Sequence, residues 1–417
     1  MRVAWAIVVL GAVGVVALLV LPGPTSSPST ELGIGGVGEA PDPTAPVLLP
    51  SRRAGDLAGR ALAAVTPTTV SPDPTTTTAD APAPSRPVLV PEPPSAPPLS
   101  DPELVELLYR GQLGRLDPDE EVVPPVADPP PALADDVAPL TGIASDPAVP
   151  ERPALVVKID NSVAARPQAG LIEADVVYEE LVEGGTTRFA AVFHSTAAPV
   201  GPVRSFRSTD IGILGSLGEP MLSWSGANRV FAALLREQPV IDRGTSQAPY
   251  WRDRTRRAPH DLMTDVDSLR GELGGVAPAP LFAYRAPGTT AVGAVVEAFD
   301  VVAGSSTVTW RWNGAQWERW LGGTPHPTTV GPVITTDNVI VQRVPYLPSG
   351  LVDGAGSVVP EAAMVGTGTA TILTGGVAIE ATWTRPTLRS VTTFTDAGGE
   401  HIELTPGRTW VHLAVAG

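Results

Sequence analysis

The chain has 417 residues, 44 of them acidic and 28 basic, with a formal net charge of -16 and no cysteine. That charge gives long-range repulsion from phosphate backbones and anionic lipid surfaces, so nucleic acid is not an expected partner of the whole chain. Without thiols there is no disulfide framework, no thiolate metal site, no thiol nucleophile and no lipid attachment through cysteine, so the fold must rest on its core.

Val3 to Leu21 is a run of 19 residues without a charge, and as a helix it would extend ~28 Å, the thickness of a bilayer core. This predicts a transmembrane anchor at 1-22. A cleavable signal peptide is the alternative, although Leu21-Pro22-Gly23-Pro24 is a poor small-residue cleavage site. Arg2 lies on the short side, and the next basic residues are Arg52 and Arg53. The positive-inside rule therefore turns the bulk of the chain outward, giving a single-pass cell-membrane protein with an extracytoplasmic body. From 23 to 137 the chain is rich in Pro, Thr and Ala and too poor in apolar residues to offset ordering entropy, so it reads as a disordered stalk with a flexible span of ~60 Å. Within it Ser100, Glu103 and the leucines at 104, 107 and 108 predict a short amphipathic helix near 101-116.

Past Pro139 the apolar runs lengthen. Ala154 to Ile159, Val176 to Val182 and Thr187 to Phe193 read as strands, with Gly184-Gly185 turning the last two into a hairpin. Helices are expected at about Ser208 to Leu217, Asn228 to Glu237 and Asp265 to Leu273, with a short strand at Met221 to Trp224. The segment 138-285 is therefore an α/β (or α+β) domain. From Val295 helical periodicity disappears. Val308, Trp310 and Trp312 alternate with polar residues, Asn313-Gly314 is a hairpin turn, and further strands are expected at 316 to 321, 339 to 344, 370 to 373, 377 to 383, 390 to 394 and 410 to 415. The segment 295-417 is expected to be all-β.

The polar residues cluster in short motifs: Lys158-Ile159-Asp160-Asn161, then Arg166-Pro167-Gln168, then Tyr178-Glu179-Glu180 through Glu183-Gly184-Gly185 to Thr187-Arg188, then Gly201-Pro202-Val203-Arg204-Ser205-Phe206-Arg207, and Ala258-Pro259-His260. In this order, and with the Gly407 to Val411 segment near the C-terminus, they resemble the YerB-like lipoprotein family, a family of unknown biochemical role with N-terminal and C-terminal parts. The resemblance covers about Pro139 onward and implies an envelope protein. This chain lacks the family's lipidated cysteine, so its anchoring must come from the apolar helix.

On a strand, Glu179 and Glu183 would share a face with α-carbons ~13 Å apart, too far for a carboxylate pair in glycoside hydrolysis. Each is expected either to be held by one of the forks Arg166, Arg188, Arg204 and Arg207, or to act singly as an acid. Lys158, Asp160 and Asn161 close an apolar strand, where side chains either cap the strand or reach a ligand cleft. Beside an acid, His260 would be a general base; otherwise it is a surface histidine. Ser205 has no nucleophile-elbow context, and the five histidines show no metal-ligand spacing. The tryptophans at 310, 312, 317 and 320 are either core packing or a platform for sugar rings. The expected ligand-binding set is thus Lys158, Asp160, Asn161, Arg166, Gln168, Arg188, Arg204, Ser205, Arg207 and His260, with no metal or cofactor. Two functions follow: binding of cell-wall polymer (peptidoglycan) or wall-synthesis partners, or cleavage of wall glycan or peptide by Glu179 or Glu183 aided by His260.

Overall fold

The computed structural model describes residues 126–416, apart from 147–148, 150, 247–248, 272–273 and 354–355. The expected membrane helix at 3-21, the helix near 101-116 and the stalk as far as residue 125 lie outside the described residues. Residues 126–137, which composition assigns to the stalk, run against the folded part. Pro130 is buried beside Leu281, Phe282 and Phe394, and Val137 bridges Ala144.

Strand dominates the described residues. The main sheet uses β1 (Leu155–Asp160), β2 (Val176–Leu181), β3 (Thr187–Phe193), β4 (Met221–Ser223) and β5 (Ile241–Asp242). Further along the chain come β6 (Ala294–Val295), β7 (Ala298–Ala303), β8 (Ser306–Trp312) and β9 (Trp317–Leu321), then β10 (Asn338–Val344), β11 (Tyr346–Val352) and β12 (Val358–Ala362), and finally β13 (Gly366–Thr374), β14 (Val377–Arg385) and β15 (Thr409–Val415). The order across the main sheet is β6-β14-β13-β10-β15-β2-β3-β1-β4-β5, and Thr393–Thr395 adds to β14. The strand expected at 390 to 394 is thus shorter and later. β2, β3 and β1 are antiparallel neighbours, as the Gly184-Gly185 hairpin requires; both glycines have positive φ, 68° and 69°, which a residue with a Cβ would resist. β15 runs parallel to β10 on one side and to β2 on the other. The segments on either side of residue 290 therefore contribute to one sheet, with a strand from the end of the second at its centre.

Because successive residues on a strand point to opposite faces, each strand feeds two cores. Val176, Tyr178, Val192, Leu222, Ile340, Ile372 and Val411 face one way. They are covered by α1 (Thr209–Gly215), by α2 (Arg229–Arg236) and by the hairpin of β11 and β12. Asn228 caps α2 by accepting the Val230 N–H at 3.0 Å, and Phe231, Leu234 and Leu235 form its buried stripe. Val157, Val177, Phe189, Val339, Leu373 and Trp410 face the other way. Against them packs a second sheet of β7, β8 and β9, which delivers Val301, Val308, Trp310 and Trp317. The Trp310 and Trp410 rings meet edge to face at 5.5 Å. Trp310 and Trp317 are therefore core residues; on the outer side Arg311 stacks 4.1 Å over Trp320. α3 (Val266–Arg270) is shorter than the helix expected there, and its first turn is capped by Asp265, which accepts the Ser268 N–H.

Candidate functional site

Four pieces of chain meet beyond the end of β1. The Gly201–Arg207 loop is stitched to β1 by the Asp160 N–H on the Pro202 carbonyl (2.9 Å) and the Arg204 N–H on the Lys158 carbonyl (2.9 Å). Val203 N–H reaches the Leu262 carbonyl at 2.7 Å, tying in the strand Leu262–Asp265. Gly201 permits this close approach, since a Cβ there would stand 2.9 Å from the Leu262 carbonyl oxygen. The Arg166-Pro167, Gly201-Pro202 and Ala258-Pro259 peptide bonds are all cis, one in each converging motif.

The focus of the site is the Asp160 carboxylate. It accepts the Ser162 N–H at 2.9 Å, lies 2.6 Å from His260 Nδ1 and is 3.0 Å from Arg204 Nε. Burial alone would raise the Asp160 carboxyl, but the Ser162 N–H, His260 and the charge of Arg204 outweigh it and hold it below the ordinary value. Asp160 thus anchors Nδ1 of His260, with the Ser162 hydroxyl 3.1 Å from the same nitrogen. This directs Nε2 away from the acid. The His260 and Arg204 side chains keep 21% and 25% of their surface, so part of each remains accessible around the shared carboxylate. Arg166 closes the neighbouring loop with Nη2 on the Asn161 carbonyl at 3.2 Å.

The remaining candidates serve two interior networks. Lys158 does not reach the surface. Fully buried, its ammonium lies 2.5 Å from both Glu180 and Asp210, themselves fully buried, while the other Asp210 oxygen accepts the Arg207 N–H at 2.7 Å. Burial, then the neighbouring Asp210, push the Glu180 carboxyl up to about 7 against the pull of Lys158. Register places Arg188 opposite both Asp160 and Glu180 across the three strands. Burial and Arg207 lower the Arg188 guanidinium to about 10. Arg207 grips Glu183 through two nitrogens at 2.6 and 3.0 Å, and Glu183 lies in the turn after β2 rather than on the strand. Ser205 donates to the Ser225 carbonyl at 3.1 Å.

Glu179 lies in the second network, 2% exposed. Its oxygens accept Thr187 Oγ1 at 2.8 Å, Arg319 Nη2 at 3.0 Å and Trp410 Nε1 at 3.2 Å, with Asn161 Nδ2 at 3.3 Å and His412 Nδ1 at 3.3 Å. The arginine that holds it is Arg319 of β9, outside the four forks named from the sequence. Arg319 also donates to His326 Nδ1, whose Nε2 faces Gln168 Oε1 at 2.9 Å; Gln168 in turn donates to the Asp160 carbonyl at 3.0 Å. Trp310 Nε1 donates to His412 Nε2 at 2.9 Å. Both histidines are neutral: burial and then Arg319 bring His326 to about 2, and burial brings His412 to about 4 despite Glu179. Burial would raise the Glu179 carboxyl, but Arg319, His412 and Thr187 hold it below the ordinary value. Its lone pairs are engaged inside the protein. Arg319 was detectable in sequence, since strand alternation puts it on the same face as Trp317 and Leu321, a charge pointing inward from an apolar stripe. Among the described residues no group of three His, Asp or Glu side chains is placed to hold a metal ion.

The fold and its motif loops define a β-rich, two-segment architecture joined through a shared sheet. The chain belongs to the YerB-like DUF3048 family: residues 140–276 match the model of "Protein of unknown function (DUF3048) N-terminal domain" and residues 298–411 that of the C-terminal domain. A Bacillus subtilis protein named "Putative lipoprotein YerB" is 34% identical over 137 residues, which is 32% of this chain and 41% of that protein's length. The crystal structure of the YerB protein from Bacillus subtilis superposes with a TM-score of 0.56 at 23% identity, covering 67% of this chain and 96% of that one, a likeness of fold. Among the described residues no helix is long and apolar enough to cross a membrane.

Proposed function

We propose that this chain is a membrane-tethered extracytoplasmic protein that binds an anionic group of an envelope polymer at the Asp160–His260–Arg204 site. The lipoprotein name of the Bacillus subtilis relative supports the location, and the apolar run at 3-21 would supply the anchor in place of a lipid. The observation that carries the binding reading is one carboxylate holding a guanidinium at 3.0 Å and an imidazole at 2.6 Å, side chains that keep only about a quarter and a fifth of their surface accessible. Desolvated forks of this kind recognise carboxylate and phosphate oxygens. The test is cosedimentation of the purified protein with isolated cell wall. Wild type should pellet and the Arg204→Ala/His260→Ala variant should stay in solution; a wild type that stays in solution refutes the reading.

A second reading has its own support. Asp160 fixes Nδ1 of His260 and leaves Nε2 outward, the arrangement of an oriented general base. With Glu179 and Glu183 engaged by arginines, an enzyme here would use His260 and Asp160 rather than a single glutamic acid. Release of soluble fragments from purified peptidoglycan, abolished by His260→Ala, would favour it over binding alone.

A further inference from the structure

The hairpin that delivers His260 has a second feature, at its tip. Its strands Tyr250–Arg252 and Leu262–Asp265 flank a loop with Arg254, Arg256 and Arg257, so 252–261 holds four arginines and two aspartates within an acidic chain. Two of the arginines are internally used: Arg252 pairs with Asp261 at 2.5 Å and Arg256 with Asp253 at 3.1 Å. Arg256 also staples the tip to the body, donating to the Ala165 carbonyl at 2.8 Å and the Pro167 carbonyl at 2.5 Å. Further bonds close the loop, Asp253 N–H on the Asp261 carbonyl at 2.8 Å and His260 N–H on the Arg257 carbonyl at 2.9 Å. The loop is thereby held in one shape. Arg254 and Arg257 remain exposed, and among the described residues neither has an ion-pair partner. The two aspartates of the loop are taken up by Arg252 and Arg256, so the loop that carries His260 also carries two exposed guanidinium groups, with Arg257 joined to His260 by a backbone bond. Because the loop is held in one shape beforehand, little ordering cost is left at binding.

We infer that the tip and the fork form one strip for a linear polyanion with repeated phosphate groups, one phosphate at Arg204 and His260 and its neighbours at Arg254 and Arg257. This rests on the binding reading above and names its ligand class. Repeated charge matters because several phosphates neutralised together release several counterions, a gain a lone anion does not give. The acidic remainder of the molecule restricts such a polymer to the strip.

The test uses the full chain, with inorganic phosphate, long-chain inorganic polyphosphate and phosphatidylglycerol vesicles as probes, each titrated over a range of salt. Polyphosphate should bind at least about tenfold more tightly than phosphate on a per-phosphate basis. Arg254→Ser/Arg257→Ser, confined to exposed positions, should weaken polyphosphate about tenfold, leave phosphate unchanged and flatten log affinity against log salt by about 1.4, at ~0.7 per phosphate contact on a flexible chain. Arg204→Ala should weaken both. An unchanged polyphosphate titration in the Arg254/Arg257 variant overturns the strip, as does binding to vesicles without binding to polyphosphate. If that variant is silent while Arg204→Ala loses both ligands and the wall cosedimentation, the strip fails and the binding site stands. If no probe binds and the wall is not pelleted with, both fail.

Discussion

Replacing Arg319 tests whether the interior network holds the two family segments together. Arg319→Met keeps most of the side-chain volume and removes the guanidinium, leaving Glu179 buried among neutral donors: Thr187, Asn161, Trp410 and the neutral His412. A buried ion pair broken on one side typically costs ~3–5 kcal/mol; with those donors still in place we expect the low end, about 3 kcal/mol. Replacing both partners, Glu179→Gln with Arg319→Met, should return to within about 1 kcal/mol of wild type, since no orphaned charge remains. The sign with pH is specific. In Arg319→Met the Glu179 carboxyl is raised above its unfolded value, so the deficit is full at neutral pH and shrinks as pH falls and the carboxyl protonates. Urea unfolding followed by tryptophan fluorescence is the assay, since Trp310 and Trp410 pack against each other in the network. A loss below about 1 kcal/mol in Arg319→Met, or a double variant as unstable as the single one, refutes the reasoning.

In wild type, Glu180 is raised to about 7, above its unfolded value of 4.5, so the fold binds its proton more tightly; that contribution is complete below 4.5 and lost as pH rises through about 7. Glu180→Gln should remove this part of the pH dependence, a difference on the order of 3 kcal/mol between the two proteins across the window, read from unfolding midpoints at each pH; parallel profiles would count against it. Tyr346 accepts the Leu181 N–H and donates to the Leu413 carbonyl, both at 3.0 Å, linking β11 to β2 and β15. Tyr346→Phe should cost ~1–3 kcal/mol by leaving two backbone groups unpaired, and an unchanged urea midpoint would show that water replaces the hydroxyl.

Local pattern carried much of the fold. Thr187 to Phe193 is a strand over its expected range, and α1 and α2 fall within the expected helices, because period-2 and period-3.6 stripes are local signals. The strand Ala298–Ala303 and the hairpin of β11 and β12 escaped notice, being interrupted by polar residues, Pro and Gly that break alternation without breaking pairing. Sheet order was illegible for a different reason: β15 pairs with β2 across more than 200 residues, and nothing in either strand's own residues names its partner. The site shows the same division. Asp160, Arg204 and His260 were each singled out as motif residues, yet their meeting depends on three loops stitched by backbone bonds. Its place at the end of an apolar strand suggests that Lys158 caps the strand or reaches a cleft, whereas its two acids stand 22 and 52 positions away and turn the side chain inward.

The central place of Thr409–Val415 also bears on damage to the chain. Loss of everything after residue 408, by premature termination or a protease nick, would remove the keystone of the sheet rather than trim its margin. Val176–Leu181 and Asn338–Val344 would both become raw flanks, each with apolar residues on both faces and a row of unmet amides. Such a fragment would be sticky instead of merely weakened, an aggregation hazard that a quality-control protease would need to clear.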